Sequence, residues 1–389
     1  MKNFPAFLSI VLAVLWGSTM IFTEQSKGQT PYKVADIIPG PMGSCPYSPV
    51  ILNNDLYFLT NPVEGTGSDL WKYDGSTASQ ITYFPASMYP SYLCAFNNNL
   101  YFSCDGNDGA GRELWKYDGT TSSRVADIYS GSRSSDPSYL TTFNNDLYFS
   151  LHGIHFLLSP NNPDMGKFDG ITFSEIPSPR RSSFLTFYNN TLYFSADGED
   201  GAGKELWKYD GTMSSRVADI WSGASDSSPS YLTVYKNNLY FIASSDDGAG
   251  RELWKYDGIT ASKIWSRPNG DPGNYLFGGS LTDLCVFNDS LYFSCDGNDG
   301  TGKELWKYDG TTATMVADIW PGGSPTQPPN SSSPASLIVY NNALYFSADG
   351  GDGTGSELWV LPIPEPSTAV LLGIAVLSLH CFSWKIKKE

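Results

Sequence analysis

Apolar and polar positions alternate in short bursts along most of this 389-residue chain, and the bursts recur. The triplet Leu-Tyr-Phe stands at Leu56–Phe58, Leu100–Phe102, Leu147–Phe149, Leu192–Phe194, Leu239–Phe241, Leu291–Phe293 and Leu344–Phe346, seven copies spaced 44 to 53 residues apart. Before each copy lies a short apolar run such as YLTVY at 231–235, usually closed by an Asn-rich turn, as at Asn98-Asn99 and Asn237-Asn238. After it comes ELWKYDG at 113–119, 205–211, 252–258 and 304–310, DLWKYDG at 69–75, a truncated SELWVL at 356–361 and a divergent MGKFDG at 165–170. A turn then leads to a segment such as RVADI at 124–128 and 216–220.

One unit thus predicts four short strands, SYLTVY, LYFSADG, ELWKYDG and SSRVADI. Aromatic and β-branched residues suit half-buried strands, and Asn-Asn and Asp-Gly suit hairpin turns. No segment between the two chain ends shows helical periodicity over 11 residues or more. A period of this length predicts an all-β fold, a seven-bladed β-propeller of four-stranded antiparallel blades. The fourth strand fixes how the ring closes. The first VADI, Val34–Ile37, precedes the first Leu-Tyr-Phe, and the last unit stops after SELWVL. The N-terminal strand is therefore expected to complete the last blade, which removes two sheet edges at once.

The repeat overrides the two or three domains that the length would suggest, leaving one ring over residues 29–363. Charged residues are 16% of the chain and the net charge is −16. Such acidity disfavours nucleic acid and anionic membrane surfaces, which need basic patches; it suits divalent cations or simple solvation.

Residues 1–28 read as a signal peptide: Lys2, then a largely apolar stretch from Phe4 to Phe22. Cleavage after Gly28 and retention as an N-terminal anchor both remain open. At the other end, Pro364, Glu365, Pro366, Ser367 and Thr368 precede an apolar run at 369–384, followed by Lys385, Lys387 and Lys388. Sixteen helical residues would reach about 24 Å, a short transmembrane span with its lysines on the cytoplasmic side. This ordered set over 364–389 resembles the PEP-CTERM sorting signal of Gram-negative bacteria. The resemblance implies an exosortase-type processing enzyme as partner, and an extracellular or cell-surface destination after transient anchoring by residues 369–384. Lysines stand where that signal usually has arginines. The repeats resemble the ELWxxDGT repeat of bacterial surface and secreted proteins, with Thr120, Thr212 and Thr311 completing the motif. That resemblance implies a propeller-like surface protein and no catalytic residues.

Aligned on Leu-Tyr-Phe, Cys94 and Cys285 share one repeat position and Cys104 and Cys295 another. The two positions flank a hairpin, so disulfides Cys94–Cys104 and Cys285–Cys295 are expected, and an oxidising compartment fits. The other reading is two pairs of small buried thiols. Cys45 is left over, and Cys381 lies in the tail.

The loop between the second and third strands carries the most suggestive chemistry. It reads DGNDGAGRE at 105–113, DGEDGAGKE at 197–205, SDDGAGRE at 245–252, DGNDGTGKE at 296–304 and DGGDGTGSE at 349–357. Asp105, Asn107, Asp108, Asp197, Asp200, Asp296, Asn298, Asp299, Asp349 and Asp352 are candidate calcium ligands, since a hard cation takes clustered carboxylate and amide oxygens on a tightly curved backbone. The alternative is a turn in which those oxygens accept nearby backbone N–H groups. The third unit replaces this loop with LHGIHFLLSPNNPDMG at 151–166, whose His152, His155 and Asp164 could bind zinc or copper, or mark a substituted loop. The tryptophans Trp71, Trp115, Trp207, Trp254, Trp306 and Trp359 recur at one position, as inter-blade core or, where exposed, as sugar-stacking platforms.

These second-to-third-strand loops share a face with the long connections between blades, such as 130–138 and 321–334, and variable loops on a rigid scaffold are where binding concentrates. The sequence therefore points to a noncatalytic secreted or surface propeller that binds extracellular polysaccharide or a surface protein through that face. A glycan-acting enzyme using carboxylates there and a purely structural envelope protein are the alternatives.

Overall fold

The computed structural model describes residues 30–61, 67–152, 164–266, 281–297, 299–322 and 329–363. The signal-like segment 1–28 and the C-terminal motif, apolar run and lysines of 364–389 lie outside them. The described residues form seven four-stranded antiparallel sheets and no helix. Blades 1 to 7 begin with the innermost strands Tyr47–Leu52, Ser91–Phe96, Pro137–Phe143, Arg180–Tyr188, Ser230–Tyr235, Thr282–Phe287 and Ala335–Tyr340. Each innermost strand packs against that of the next blade, and the series closes between blade 7 and blade 1. The molecule is a seven-bladed β-propeller. Blade 7 is completed by the N-terminal strand Tyr32–Ala35, which pairs antiparallel with Ser356–Pro362.

The alternation of Leu-Tyr-Phe explains the packing. Side chains on a strand point to alternate faces. In blade 2, Leu100 and Phe102 join Leu59, Leu70 and Phe84 between blades 1 and 2. Tyr101 faces the other way and joins Leu147, Phe149 and Phe168 between blades 2 and 3. The same division repeats around the ring, so the core is seven inter-blade layers rather than one centre. In all seven first hairpins both central residues, from Asn53-Asn54 to Asn341-Asn342, have positive φ between 44° and 66°. That is the type I′ geometry matching the strand twist, and it explains the Asn-rich turns. Tyr188, Tyr235 and Tyr340 each donate from the end of an innermost strand to a carbonyl in the next blade's turn, Asn237 (3.0 Å), Asp289 (2.6 Å) and Asn54 (3.0 Å).

The glutamate of Glu-Leu-Trp is the second tie between blades, and it is fully buried. Glu113 accepts from the Ile128 N–H at 3.1 Å, the Ser135 N–H at 2.8 Å and the Ser135 hydroxyl at 2.5 Å. Ile128 ends the outermost segment of its own blade, and Ser135 opens the approach to the next innermost strand. Glu205 does the same with Ile220 and Ser227, and Glu304 with Ile319 and Ser332. Glu357 accepts from the Ile37 N–H at 3.1 Å and from the Ser44 N–H and hydroxyl at 2.9 and 2.6 Å, partners more than 300 residues away in sequence. One carboxylate thus joins the two ends of the ring.

Burial pushes these four carboxyls up, with the hydrogen bonds opposing it. The aspartates of the third-to-fourth-strand turns behave oppositely. Backbone and hydroxyl donors two and three residues on hold Asp74 and Asp210 down at about 2, against an ordinary 3.8, and hold Asp118 and Asp309 lower still.

Two predictions follow from the ties. Glu357→Ala leaves three donors unpaired and should lower unfolding stability by about 3 kcal/mol or more, while Glu357→Gln, which keeps one acceptor, loses less; urea unfolding of the variants checks the order. The turn aspartates contribute stability that is present above pH 3.8 and lost as pH falls through about 2. The clasp glutamates, with raised folded values, contribute stability that is full below 4.5 and lost as pH rises. Stability should therefore peak at roughly pH 4; unfolding midpoints that keep rising from pH 4 to pH 7 would contradict this.

Candidate functional site

The candidate calcium loops are built as turns. Asp105 accepts the Asn107 N–H at 2.8 Å and Asp108 the Ala110 N–H at 3.1 Å. Asp197, Asp200, Asp299, Asp349 and Asp352 repeat the pattern two residues on. The second aspartate also meets a cation from the outermost strand: Asp108 pairs with Arg124 at 3.0 Å, Asp200 with Arg216 at 3.1 Å and Asp352 with Lys33 at 2.6 Å. The Asn107 amide donates to Ser87 at 2.7 Å. Asp296 closes its strand, and Asn298 lies outside the described residues. Among the described residues no three His, Cys, Asp or Glu side chains gather where they could hold a metal.

The first glycine of the loop is required by packing. A Cβ on Gly106, Gly198, Gly297 or Gly350 would lie 2.2–2.5 Å from the ring of Trp115, Trp207, Trp306 or Trp359. The recurrent tryptophans therefore support the loop from beneath, and all six indole N–H groups are buried without a partner.

The expected disulfides Cys94–Cys104 and Cys285–Cys295 are not formed. Cys94 is opposite Tyr101 in the ladder and shares its face, towards blade 3. Cys104 lies three residues beyond Tyr101, so it faces blade 1. Cys285 and Cys295 are divided in the same way, one towards blade 7 and one towards blade 5. A sheet separates each pair. Burial pushes the thiols of Cys94, Cys104 and Cys285 up to about 12.

In blade 3, Asp164 occupies the clasp position and accepts from the Arg181 N–H; burial raises its carboxyl to about 6. Gly166 stands where other blades have tryptophan, and Phe149 and Phe173 stack into that space. His152 is exposed and its Nδ1 lies 2.7 Å from the Ser138 hydroxyl. His155 is outside the described residues, so the proposed metal trio is not assembled among them.

Sequence reasoning missed the centre of the ring. Every innermost strand carries a residue in the left-handed region near its start: Ser48, Tyr92, Tyr139, Phe184, Tyr231, Asp283 and Ser336, with φ between 50° and 58°. Wherever the position three residues earlier is described it lies in the same region, as at Asp136 and Ser228. The ladder slips at this point in all seven blades. A bulge of this kind re-aims a side chain, and a bulky residue with positive φ is held there only by its surroundings. The result is a half-buried row of rings across blades 2 to 5. Tyr92 and Tyr139 are 5.1 Å apart, Tyr139 and Phe184 4.5 Å, and Phe184 and Tyr231 5.2 Å. Asp283, Ser336 and Ser48 complete the collar with polar groups. Asp283 accepts the Ser336 N–H at 3.0 Å and Ser48 accepts the Tyr92 N–H at 3.2 Å.

A nitrogen base sits on the serine preceding each of the four rings. Arg112 donates to Ser91 and pairs with Asp136 at 2.9 Å. His152 meets Ser138; Lys204 donates to Ser183 at 2.7 Å; Arg251 donates to Ser230. Lys303 stands at the same position of blade 6. Burial pulls Lys204 down to about 8, with Arg181 and Arg251 adding to the effect, and lowers Arg251 and Lys303. Burial and the Asp283 carboxylate push the Tyr231 hydroxyl up to about 12. The collar lies at the strand ends next to the Asp-Gly loops and blade connections. The sequence signal was the pairing of Ser-Tyr-Leu with an Arg or Lys before Glu-Leu-Trp.

No protein-family model matches the chain, and no curated protein is similar to it. Solved structures match the fold. An oligogalacturonate lyase from Vibrio parahaemolyticus is 10% identical with a TM-score of 0.53, covering 88% of this chain and 95% of that one. PorZ, an essential bacterial surface component of the type-IX secretion system of Porphyromonas gingivalis, is 13% identical with a TM-score of 0.54, over 83% of this chain and 47% of that one. The Pyrococcus horikoshii acylaminoacyl peptidase is 10% identical with a TM-score of 0.50 over 81% of this chain, which spans 50% of the peptidase.

With Cys94, Cys104 and Cys295 buried, Cys285 half-buried and no disulfide formed, native protein should resist alkylation at these four positions at neutral pH. In denaturant all four should label without prior reduction; a mass gain that needs reductant would restore the disulfides.

Proposed function

We propose that the chain is a noncatalytic, exported cell-surface propeller that holds extracellular polysaccharide on its loop-rich face. The observation that carries this is the row of four half-buried rings at the centre of that face, because aromatic faces with flanking polar groups are what sugar rings stack on. The rigid ring supplies the preorganisation and the connections supply variable edges. The signal-like N-terminus and the sorting-like motif at 364–368 support export through an exosortase-type enzyme. The likeness to PorZ and to an oligogalacturonate lyase supports surface and sugar-related roles as analogies of fold. A surface protein is the other partner class compatible with this face.

The second reading is a glycan-acting enzyme, favoured by the lyase's match over almost its whole length and by Lys204, which is brought near neutrality. The carboxylates of the Asp-Gly loops are a poor basis for it, because they accept backbone N–H groups or pair with arginine and lysine.

Retention of the full-length chain on the producing bacterium's extracellular polysaccharide is the test, first with calcium and then with chelator. Retention in both conditions, with no new chain ends released from the polysaccharide, is expected. Release of chain ends would move the assignment to the enzyme, and absence of retention would move it to a protein partner. Retention lost on chelation would return the Asp-Gly loops to a cation role.

A further inference from the structure

We infer that the central collar is a binding site for a carboxylated sugar, a uronate residue presented by a polysaccharide, with its ring against Phe184 and Tyr231 and its carboxylate on Lys204 and Arg251. This rests on the polysaccharide reading and names the sugar class that the site takes.

The chain carries −16, a field that repels polyanions overall. Yet three cationic groups of adjacent blades, Arg181 and Lys204 in blade 4 and Arg251 in blade 5, lie close enough that both arginines lower the Lys204 ammonium. Arg181 is balanced by Asp226 at 3.2 Å and Asp197 at 3.6 Å. Lys204 and Arg251 are not. The ammonium of Lys204 donates to the Ser183 hydroxyl at 2.7 Å, and the Arg251 guanidinium meets the Ser230 hydroxyl and the carbonyls of Ser228 and Ile242. Among the described residues neither forms an ion pair. Asp197 and Asp226 act on Lys204 only from farther away, and Asp283 acts on Tyr231.

A cation taken out of water without a counter-ion is costly to hold, and a bound anion relieves that cost. The two serines carrying these cations immediately precede Phe184 and Tyr231, whose centroids are 5.2 Å apart. Inorganic anions would use the charges and leave the rings idle; neutral sugars would use the rings and leave the charges unanswered. A pyranose bearing a carboxylate uses both. Bidentate guanidinium contact suits a carboxylate, and the phenol group of Tyr231 offers a donor to its hydroxyls.

The test is calorimetric titration of the full-length chain with a galacturonate trisaccharide, a neutral galactose trisaccharide and inorganic phosphate. The acidic trisaccharide should bind at least about tenfold tighter than the neutral one, the worth of one charge-assisted contact, and weaken with added salt. Lys204→Met, Arg251→Met and Tyr231→Ala should each lose about tenfold or more, whereas Lys236→Met, in a hairpin turn on the opposite face, should change nothing. In the unmodified protein the Lys204 ammonium should titrate higher with the acidic trisaccharide bound, a readout independent of any variant's folding. Equal binding of the two trisaccharides, or phosphate competing as well as the acidic trisaccharide, overturns the assignment. Retention of the whole polysaccharide without binding of the acidic trisaccharide overturns it while leaving the proposed function in place; loss of both removes both.

Discussion

A buried carboxylate with three donors from two other segments is the constraint on which this structure depends. Glu113, Glu205, Glu304 and Glu357 each sit at the start of a third strand, and each holds the end of an outermost segment together with the start of the next blade's approach. Burying a charge without satisfying it would be strongly unfavourable, and here every donor comes from a backbone or hydroxyl group fixed by the fold. The carboxylate therefore specifies one path for the connection between blades. The innermost strand enters through that connection, so the bulge and the collar residue that follows inherit their placement from it. At the seam the same device works across the whole chain, since Glu357 fastens Ile37 and Ser44 while Gly43 and Gly355 let the two backbones meet at a distance that a Cβ would block.

Departures from the rule mark where the ring is locally rebuilt. In blade 1, Asp69 is too short to reach the connection and accepts instead from Gln80 at 2.9 Å. In blade 5 the connection lies outside the described residues, and among those described Glu252 takes the hydroxyls of Ser245 and Ser266 and the ammonium of Lys263. In blade 3, Asp164 accepts among the described residues the Arg181 N–H, and the volume of the missing tryptophan is taken by Phe173. The layer between blades survives each change because Leu147, Phe149 and their equivalents remain fully buried.

Much of this was legible in the chain. Period-two alternation, Asn-Asn turns and an orphaned first VADI were enough for the blade count and the mode of closure, because strand faces and hairpin geometry are local properties. The cysteines were misread for a reason of parity. Cys94 and Cys104 flank one hairpin, but its two-residue turn sets Cys94 opposite Tyr101, and Cys104, an odd three residues farther along the strand, points to the other face. The collar left only a faint trace in the chain, Ser-Tyr-Leu paired with an Arg or Lys before Glu-Leu-Trp, and its geometry was not legible. A tyrosine or phenylalanine with positive φ is not forecast by its type, and the bulge brings Tyr92, Tyr139, Phe184 and Tyr231 together only after the ring has formed. The glutamate's recurrence was visible; its partners, 15 to 28 residues downstream in three blades and across the seam in the fourth, were not.

A closed ring requires the seam to be as firm as the other blade junctions. Native-state hydrogen exchange at the amides of Ile37 and Ser44 measures this, because both donate to Glu357 and to nothing that a linear stack of blades would supply. In a closed ring both exchange only through the same cooperative opening as Ile128 and Ser135 at the internal junction. Rapid exchange at Ile37 and Ser44, with protection kept at Ile128 and Ser135, would mean that the ring is open and that the N-terminal strand does not complete the seventh blade.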